Sequence, residues 1–292
     1  MKRQIVDFVR RLVGFPIVME RLRAIEIALS QSAEQAATSV TADAKESEPA
    51  KSYEVPELDY GYWASGHIRG TPPMPRAPLA SSWDPEDPFG AIVSKAMMEA
   101  ETAFAKELLR SVRDENIPGA IVEFGVFEGL WLEKLCLACE DLGLVRPIYG
   151  FDSFEGLPAP SAKDDLACWS EGQYAASLEA VSARLKCDER KHVSLVKGWF
   201  SNTLPQPLAQ GIEQIAYARI DCDLYQPAVE CLDYLQPRLS DGAILVFDDW
   251  TWNLQKGETK AFYEWTPKSG LAFEFLAYNS IGHLYLKVTK PR

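Results

Sequence analysis

Three observations predict an α/β fold built on a mostly parallel sheet of seven strands with an antiparallel hairpin at one edge. From about residue 91 to residue 292, short apolar runs alternate with helical stretches, the rhythm of parallel strands joined by crossover helices. The last two runs are separated only by Asn279-Ser-Ile-Gly282, so they must pair as a hairpin. Two successive central runs, Ile215–Asp221 and Ala243–Asp248, both end in acids, and Asp249 follows the second. In an open α/β sheet ligands bind outside the carboxyl ends of the strands, so Asp221, Asp248 and Asp249 should share one rim.

The elements follow in order. Residues 1–29 read as helical on either side of Pro16, with Val18, Leu22, Ile25 and Leu29 at heptad spacing. Their excess of Lys and Arg suits a basic amphipathic helix lying on an anionic membrane face. A dimer or docking helix is the preferred reading, and a homo-oligomer is expected. Residues 30–56 are rich in Ala, Ser, Thr and Glu without apolar periodicity and read as a flexible linker. Residues 57–90 set Tyr60, Tyr62, Trp63, Trp83 and Phe89 among Pro and Gly, an aromatic loop that must pack on the main domain or on a ligand. A helix is predicted from Pro88 to Arg113, burying Ile92, Met97, Ala100, Phe104 and Leu108. Strands are predicted at Ala120–Gly125, Pro147–Asp152, Val193–Gly198, Ile215–Asp221, Ala243–Asp248, Phe273–Tyr278 and His283–Val288. Helices between them include Leu130–Leu142, Ala175–Lys186 and Pro227–Leu239.

Composition removes whole classes of function. A formal net charge of −12 argues against a nucleic-acid-binding surface. No run of about 18 apolar residues is present to span a membrane. Met1-Lys-Arg resembles the start of a signal peptide, but Asp7, Arg10 and Arg11 interrupt the apolar stretch that should follow. The expectation is a cytoplasmic protein, with any membrane contact peripheral, at the inner face and through residues 1–29. The six cysteines fit that compartment; Cys136 and Cys139 form a CxxC inside a helical pattern with no second pair at zinc-finger spacing, so buried free thiols are expected.

The acid trio carries the chemistry. At a strand spacing of roughly 5 Å each like-charge pair costs about 3 kcal/mol at an effective dielectric of about 20. A proton or a cation must relieve that, and an all-oxygen set suits Mg²⁺ or Ca²⁺ rather than zinc. On the other side, the first strand runs into Glu123-Phe-Gly125-Val-Phe127-Glu128-Gly129. Its glycine spacing is not the G-x-G-x-x-G of a dinucleotide fingerprint, and its acids would repel phosphates. Asp152 ends the second strand, where an acid accepts from both ribose hydroxyls, or else caps the turn at Ser153-Phe-Glu-Gly156. Gly198-Trp199 follows the third strand, where Trp199 packs against an adenine or belongs to the core. The opposing class, a nicotinamide-dependent oxidoreductase acting on sugar nucleotides, shares the α/β rhythm but has no use for the acid pair. A non-catalytic cofactor-binding scaffold recruited through its N-terminal helix is the third reading.

Five co-linear blocks now point to a family: Val122–Gly129, Phe151-Asp-Ser153-Phe-Glu-Gly-Leu-Pro158, Lys197-Gly-Trp-Phe-Ser-Asn-Thr-Leu-Pro205, Arg219-Ile-Asp-Cys-Asp-Leu-Tyr225 and Asp241–Asp249. Over roughly residues 90–292 the chain resembles the macrocin O-methyltransferase family. The resemblance implies a Rossmann-like class I methyltransferase fold that uses S-adenosylmethionine and Mg²⁺ to methylate a sugar hydroxyl, on a small-molecule or glycan acceptor. By the same resemblance Glu123 and Gly125 lie along the methionine part of the cofactor, Asp152 holds the ribose, and Asp221, Asp248 and Asp249 hold the metal. Phe127, Gly129, Ser153, Gly198, Trp199 and Asp221 complete the expected cofactor-binding set. The lysine that catechol-type enzymes carry after the fourth-strand aspartate is replaced here by Asp223, Leu224 and Tyr225. The proton acceptor is therefore expected at Asp221 itself or at a histidine, His283 or the loop residue His67. Trp250 and Trp252, next to the acid pair, stack on a sugar or pack beneath the following loop.

Overall fold

The computed structural model describes residues 68–69, 88–251, 253–278 and 282–290. The expectations for residues 1–29, the linker 30–56, His67 and Trp252 lie outside the described residues. Eight strands form one sheet: β1 (Ile68–Arg69), β2 (Ala120–Phe124), β3 (Ile148–Asp152), β4 (Val193–Lys197), β5 (Ile215–Ile220), β6 (Leu239–Phe247), β7 (Ala272–Tyr278) and β8 (Leu284–Thr289). The seven expected strands are all present. The eighth, two-residue β1, falls in the segment expected to be irregular and pairs parallel with β7. The helices are α1 (Pro88–Asp114), α2 (Leu130–Leu142), α3 (Leu178–Arg184), α4 (Phe200–Thr203), α5 (Pro207–Gln210), α6 (Tyr225–Leu235) and α7 (Gly257–Ser269).

The strand order is β1-β7-β8-β6-β5-β2-β3-β4. Strands β2 to β6 run parallel, and β8 turns antiparallel to both β6 and β7, as the short connection requires. From β2 the chain winds outward through β3 and β4, then returns to place β5 on the other side of β2. That reversal is the topological switch point at which a sheet of this kind opens a crevice.

Burial explains the continuous apolar runs. In β6, Ala243, Leu245 and Phe247 face one core while Ile244 and Val246 face the other, the period of two expected where helices cover both sides of a sheet. Helix α6 buries Tyr225, Ala228, Cys231, Leu232 and Leu235 along one stripe. Strand β6 begins four residues before the expected Ala243, because Ser240-Asp-Gly242 continues the strand through a register shift instead of turning. Gly242 sits there at φ 84°, a left-handed conformation that glycine adopts without strain. Cys136 and Cys139 are buried free thiols, and burial pushes both up to about 12, which leaves them inert.

Candidate active site

A cavity of about 540 Å³ opens beyond the carboxyl ends of β2 to β6. Gly125, Phe127, Asp152, Ser153, Gly198 and Trp199 face it from one side, and Asp221, Asp248 and Asp249 from the other. The last three offer carboxylate oxygens that all lie within 4.8 Å of one another. Their convergence follows from the parallel register of β5 and β6, in which Ile220 pairs with Phe247, so the residues that follow each strand emerge side by side. The backbone continues the ladder past the strand ends: Asp221 N–H donates to Phe124 O at 2.8 Å and Asp248 N–H to Ile220 O at 3.0 Å. Gly125 is needed for this close approach, because a Cβ there would lie 1.6 Å from the Asp221 carbonyl oxygen.

Behind the acids lies a group the sequence reading passed over. Arg219, two residues before Asp221 and therefore on the same face of β5, is 4% exposed. Its Nη1 reaches Glu123 Oε1 at 2.8 Å and Asp221 Oδ2 at 2.5 Å, and its Nη2 bonds Asp248 Oδ1. Glu123 stands directly opposite it in the β2–β5 register. The guanidinium carbon also sits 4.8 Å from the centre of the Trp131 ring, a cation–π contact that covers its remaining face. Glu123, at 1% exposure, does not line the cavity; its Oε1 pairs with Arg219 and its Oε2 is buried without a hydrogen-bond partner among the described residues. Gly129 does not line it either: it opens α2 at φ 77°, and a Cβ there would meet Val181 Cγ1 at 2.8 Å, so it serves helix packing.

His283 reaches the site from behind as well. Its Nε2 lies 2.5 Å from Asp248 Oδ1 and its Nδ1 3.2 Å from Glu101 Oε2, and Tyr285 Oη also donates to Glu101. With both ring nitrogens engaged and no face on the cavity, His283 orients Asp248 instead of taking a substrate proton, which corrects the expectation of a histidine base there. Trp250 is 2% exposed and packs against Phe247 and Phe262; it belongs to the core, not to a sugar-stacking surface.

The acids divide electrostatically. Burial works against the charge of Asp248, but Arg219 and His283 hold its carboxyl well below the usual range. Burial, with repulsion from Asp248 and Asp249, raises Asp221 despite Arg219, although 30% of its side chain remains exposed. Burial and the neighbouring Asp223 raise Asp249. Asp223, a cavity-lining residue at φ 62°, is pushed up to about 8 by burial and by Asp221. Burial depresses His283, but Asp248 and Glu101 more than reverse that and lift it to about 9. Burial raises Glu123 to about 7 in spite of Arg219.

The cofactor-facing side is organised by hydrogen bonds instead. Asp152 Oδ2 accepts from Val126 N–H at 2.7 Å and Phe127 N–H at 2.9 Å, and Oδ1 accepts from Phe154 N–H at 2.5 Å. Asp152 is therefore both the turn cap and the clamp on the loop after β2, and three of a carboxylate's roughly four acceptor positions are used. Asp152, Ser153, Gly198 and Trp199 all face the cavity.

Aromatic groups line the mouth from an unexpected place. The connection between β3 and α3 carries Trp169 and Tyr174, and Tyr174 meets Phe127 edge-on at 5.4 Å and Trp169 at 6.1 Å. Phe127 and Tyr174 remain 38% and 42% exposed and hold left-handed backbone at φ 47° and 63°, strain of the sort that collects at functional sites. The connection is pinned: Leu157 N–H donates to Gln173 O at 2.7 Å and Gly172 N–H to Leu157 O at 2.9 Å, and Asp164 accepts from Tyr225 N–H at 2.6 Å.

Comparison with known proteins places this architecture. The model of the macrocin-O-methyltransferase family matches residues 92–274. The chain is 32% identical over 156 residues to the 8-demethyl-8-(2,3-dimethoxy-alpha-L-rhamnosyl)-tetracenomycin-C 4'-O-methyltransferase of Streptomyces olivaceus, covering 49% of this chain and 57% of that one. It is 28% identical over 160 residues to the demethyldecarbamoylnovobiocin O-methyltransferase of Streptomyces niveus, covering 50% and 58%. These matches span under three fifths of the relatives' own lengths. Among solved structures, the O-methyltransferase NovP superposes with a TM-score of 0.57 at 25% identity, over 65% of this chain and 80% of that one.

Proposed function

The chain belongs to the macrocin-O-methyltransferase family, and from that premise we propose that it transfers the methyl group of S-adenosylmethionine to a hydroxyl of a sugar, with Mg²⁺ at the acid trio. One observation carries the reading: Asp221, Asp248 and Asp249 converge within 4.8 Å on the cavity that Asp152, Gly198 and Trp199 also line. One relative is by name the 4'-O-methyltransferase of a rhamnosyl-tetracenomycin, which supports a sugar-bearing small molecule or glycan as acceptor.

The donor set fits the metal. Carboxylate oxygens alone suit a hard cation, and the raised Asp221 and Asp249 mark charge that a divalent ion would relieve. Bound there, Mg²⁺ would supply Lewis acidity toward the acceptor hydroxyl. The chain's own residues do the rest. Arg219 and His283 hold Asp248 ionised and fixed in direction. Asp152 would accept from the cofactor ribose while holding the loop of Phe127 in place, and Trp199 would border the adenine. Asp223 faces the cavity two residues from Asp221 and is the proposed proton acceptor in place of His283. Residues 1–29 are assigned to docking a second copy or an anionic membrane face. A chain starting at Glu57 that keeps its oligomeric state and its lipid binding would remove that assignment.

The deciding experiment is calorimetry of S-adenosylhomocysteine and of NADH, each with and without Mg²⁺. The proposal expects S-adenosylhomocysteine to bind, NADH not to bind, and methyl transfer to stop in excess chelator. Full transfer in chelator would remove the metal from the reading. Binding of NADH instead would remove the methyl donor.

A further inference from the structure

Four consecutive residues at the entry to α7, Lys256-Gly-Glu-Thr259, tie three site loops together. Glu258 is fully buried. Its Oε1 accepts from Cys222 N–H at 2.9 Å and Asp223 N–H at 3.2 Å, and its Oε2 makes a longer contact of 3.4 Å with Asp249 N–H. One carboxylate therefore spans the loop after β5 and the loop after β6. Thr259 Oγ1 adds a bond of 3.0 Å from Thr251 N–H. Lys256 Nζ donates to the carbonyls of Ala162 and Asp164 at 2.8 and 2.9 Å, and Gly257 N–H to Lys163 O at 2.9 Å, which brings in the connection that carries Trp169 and Tyr174.

A buried carboxyl beside three aspartates is an expensive way to fill space, since burying a polar group costs free energy unless it is hydrogen-bonded. An apolar side chain would pack there without that cost. What Glu258 adds is geometry: its acceptors face the amides of Cys222, Asp223 and Asp249, the residues that adjoin or include the carboxylate-bearing positions. We infer that Glu258 is a positioning residue that sets the spacing of Asp221 and Asp249 for a divalent cation, and that through Lys256 the same helix entry joins the metal loops to the aromatic wall. The inference rests on the metal reading above. It extends that reading to a side chain that touches neither cofactor nor cation.

The test uses the full chain, Mn²⁺ as the metal probe and S-adenosylhomocysteine as the cofactor probe, both titrated by calorimetry. Glu258→Ala should weaken Mn²⁺ binding about tenfold or more and leave S-adenosylhomocysteine within about threefold. Glu258→Gln, whose amide oxygen still accepts from Cys222 and Asp223, should recover most of the Mn²⁺ affinity. Wild-type Mn²⁺ affinity in a folded Glu258→Ala overturns the inference, and so does an equal loss of both ligands, which would mark general loosening. If the wild-type chain binds no Mn²⁺, the metal reading fails, and the clamp is read from amide exchange. Faster exchange at Cys222, Asp223 and Asp249 in Glu258→Ala supports it, and unchanged exchange overturns it. Should Glu258→Ala not fold, Glu258→Gln carries the comparison, with exchange rising at Asp249 more than at Cys222; no rise at Asp249 overturns the inference.

Discussion

The two sides of the cavity solve the same problem, an acid at a strand end, in opposite ways. At the end of β3, Asp152 is satisfied by backbone amides of its own and a neighbouring loop. At the ends of β5 and β6, Asp221, Asp223, Asp248 and Asp249 crowd one another, and among the described residues Arg219 and His283 answer them from behind. The first side is complete without a ligand. The second holds more negative charge than its own cations relieve, so it has free energy to gain from a divalent ion. A pre-formed cradle and a charge-loaded one side by side are what a site needs if one occupant is to be held by shape and the other by charge.

The comparison breaks most easily at Arg219. Removing it leaves Glu123 and Asp248 without their guanidinium partner in a site that is 1% exposed at Glu123, and losing one member of a buried ion network costs about 3–5 kcal/mol. Arg219→Leu should therefore lower the melting temperature by roughly 2–4 °C for each kcal/mol lost, and Mg²⁺ should restore part of it. A melting curve unchanged by the substitution would show that the crowded side is not under charge strain at all.

Asp152 tests the other side. Asp152→Ala removes a charge-assisted acceptor, worth about 1.5–3 kcal/mol, or roughly a tenfold to hundredfold loss of S-adenosylhomocysteine affinity. Part of that loss should come from the freed amides of Val126 and Phe127. Mn²⁺ affinity should stay near wild type, because no acid of the trio bonds to Asp152. Parallel loss of both ligands would erase the division between the two sides.

How far the sequence foretold this depends on whether an effect is local. Strand ends were legible because apolar runs stop where the chain leaves the core, and helix α2 was predicted with its observed bounds, Leu130–Leu142. The acid trio was legible because each member directly follows such a run. Arg219 was not, since its importance comes from lying opposite Glu123 across β2 and β5, a register no single stretch of sequence displays. The packing roles of Glu123 and Gly129 were hidden for the same reason: their motif looks like a ligand loop, yet each also meets partners distant in sequence. Trp250 drew attention by adjacency to Asp248 and Asp249, while two further aromatics that face the cavity, Trp169 and Tyr174, sit in a polar stretch with no periodicity to mark them. Asp223 was visible two residues after Asp221, but only its left-handed backbone and burial distinguish it from a surface acid.

The pH dependence sharpens the contrast by a smaller amount. Glu123, Asp223 and Glu258 are raised by burial to about 7, 8 and 8, and His283 is lifted to about 9, mainly by Asp248 acting against burial. All four bind protons in the folded chain that the unfolded chain releases earlier, so stability falls as pH rises from the unfolded values toward the folded ones. The melting temperature of the metal-free protein should decline between about pH 5 and pH 9. Added Mg²⁺ should raise it more at pH 8 than at pH 6, because protons compete with the cation for the same oxygens. Stabilisation by S-adenosylhomocysteine should change little over that range. A melting temperature that rises steadily from pH 5 to pH 9 would contradict the assigned shifts.

The smallest expected effect concerns the aromatic wall. Trp169 and Tyr174 lie on the metal side of the mouth, where Asp221, Asp223 and Asp249 also act on the Tyr174 hydroxyl, and Phe127 closes the row. Sugars present apolar CH faces that pack on aromatic rings, and a ring contact contributes about 0.5–1.5 kcal/mol beyond the area it buries. Trp169→Ala should therefore raise the acceptor KM by roughly twofold to tenfold, with kcat and S-adenosylhomocysteine affinity close to wild type. A methyl glycoside is a suitable probe sugar. Should Trp169→Ala instead weaken S-adenosylhomocysteine and leave the acceptor KM alone, the wall belongs to the cofactor, and the cavity's two sides meet further toward Asp249 than the present division places them.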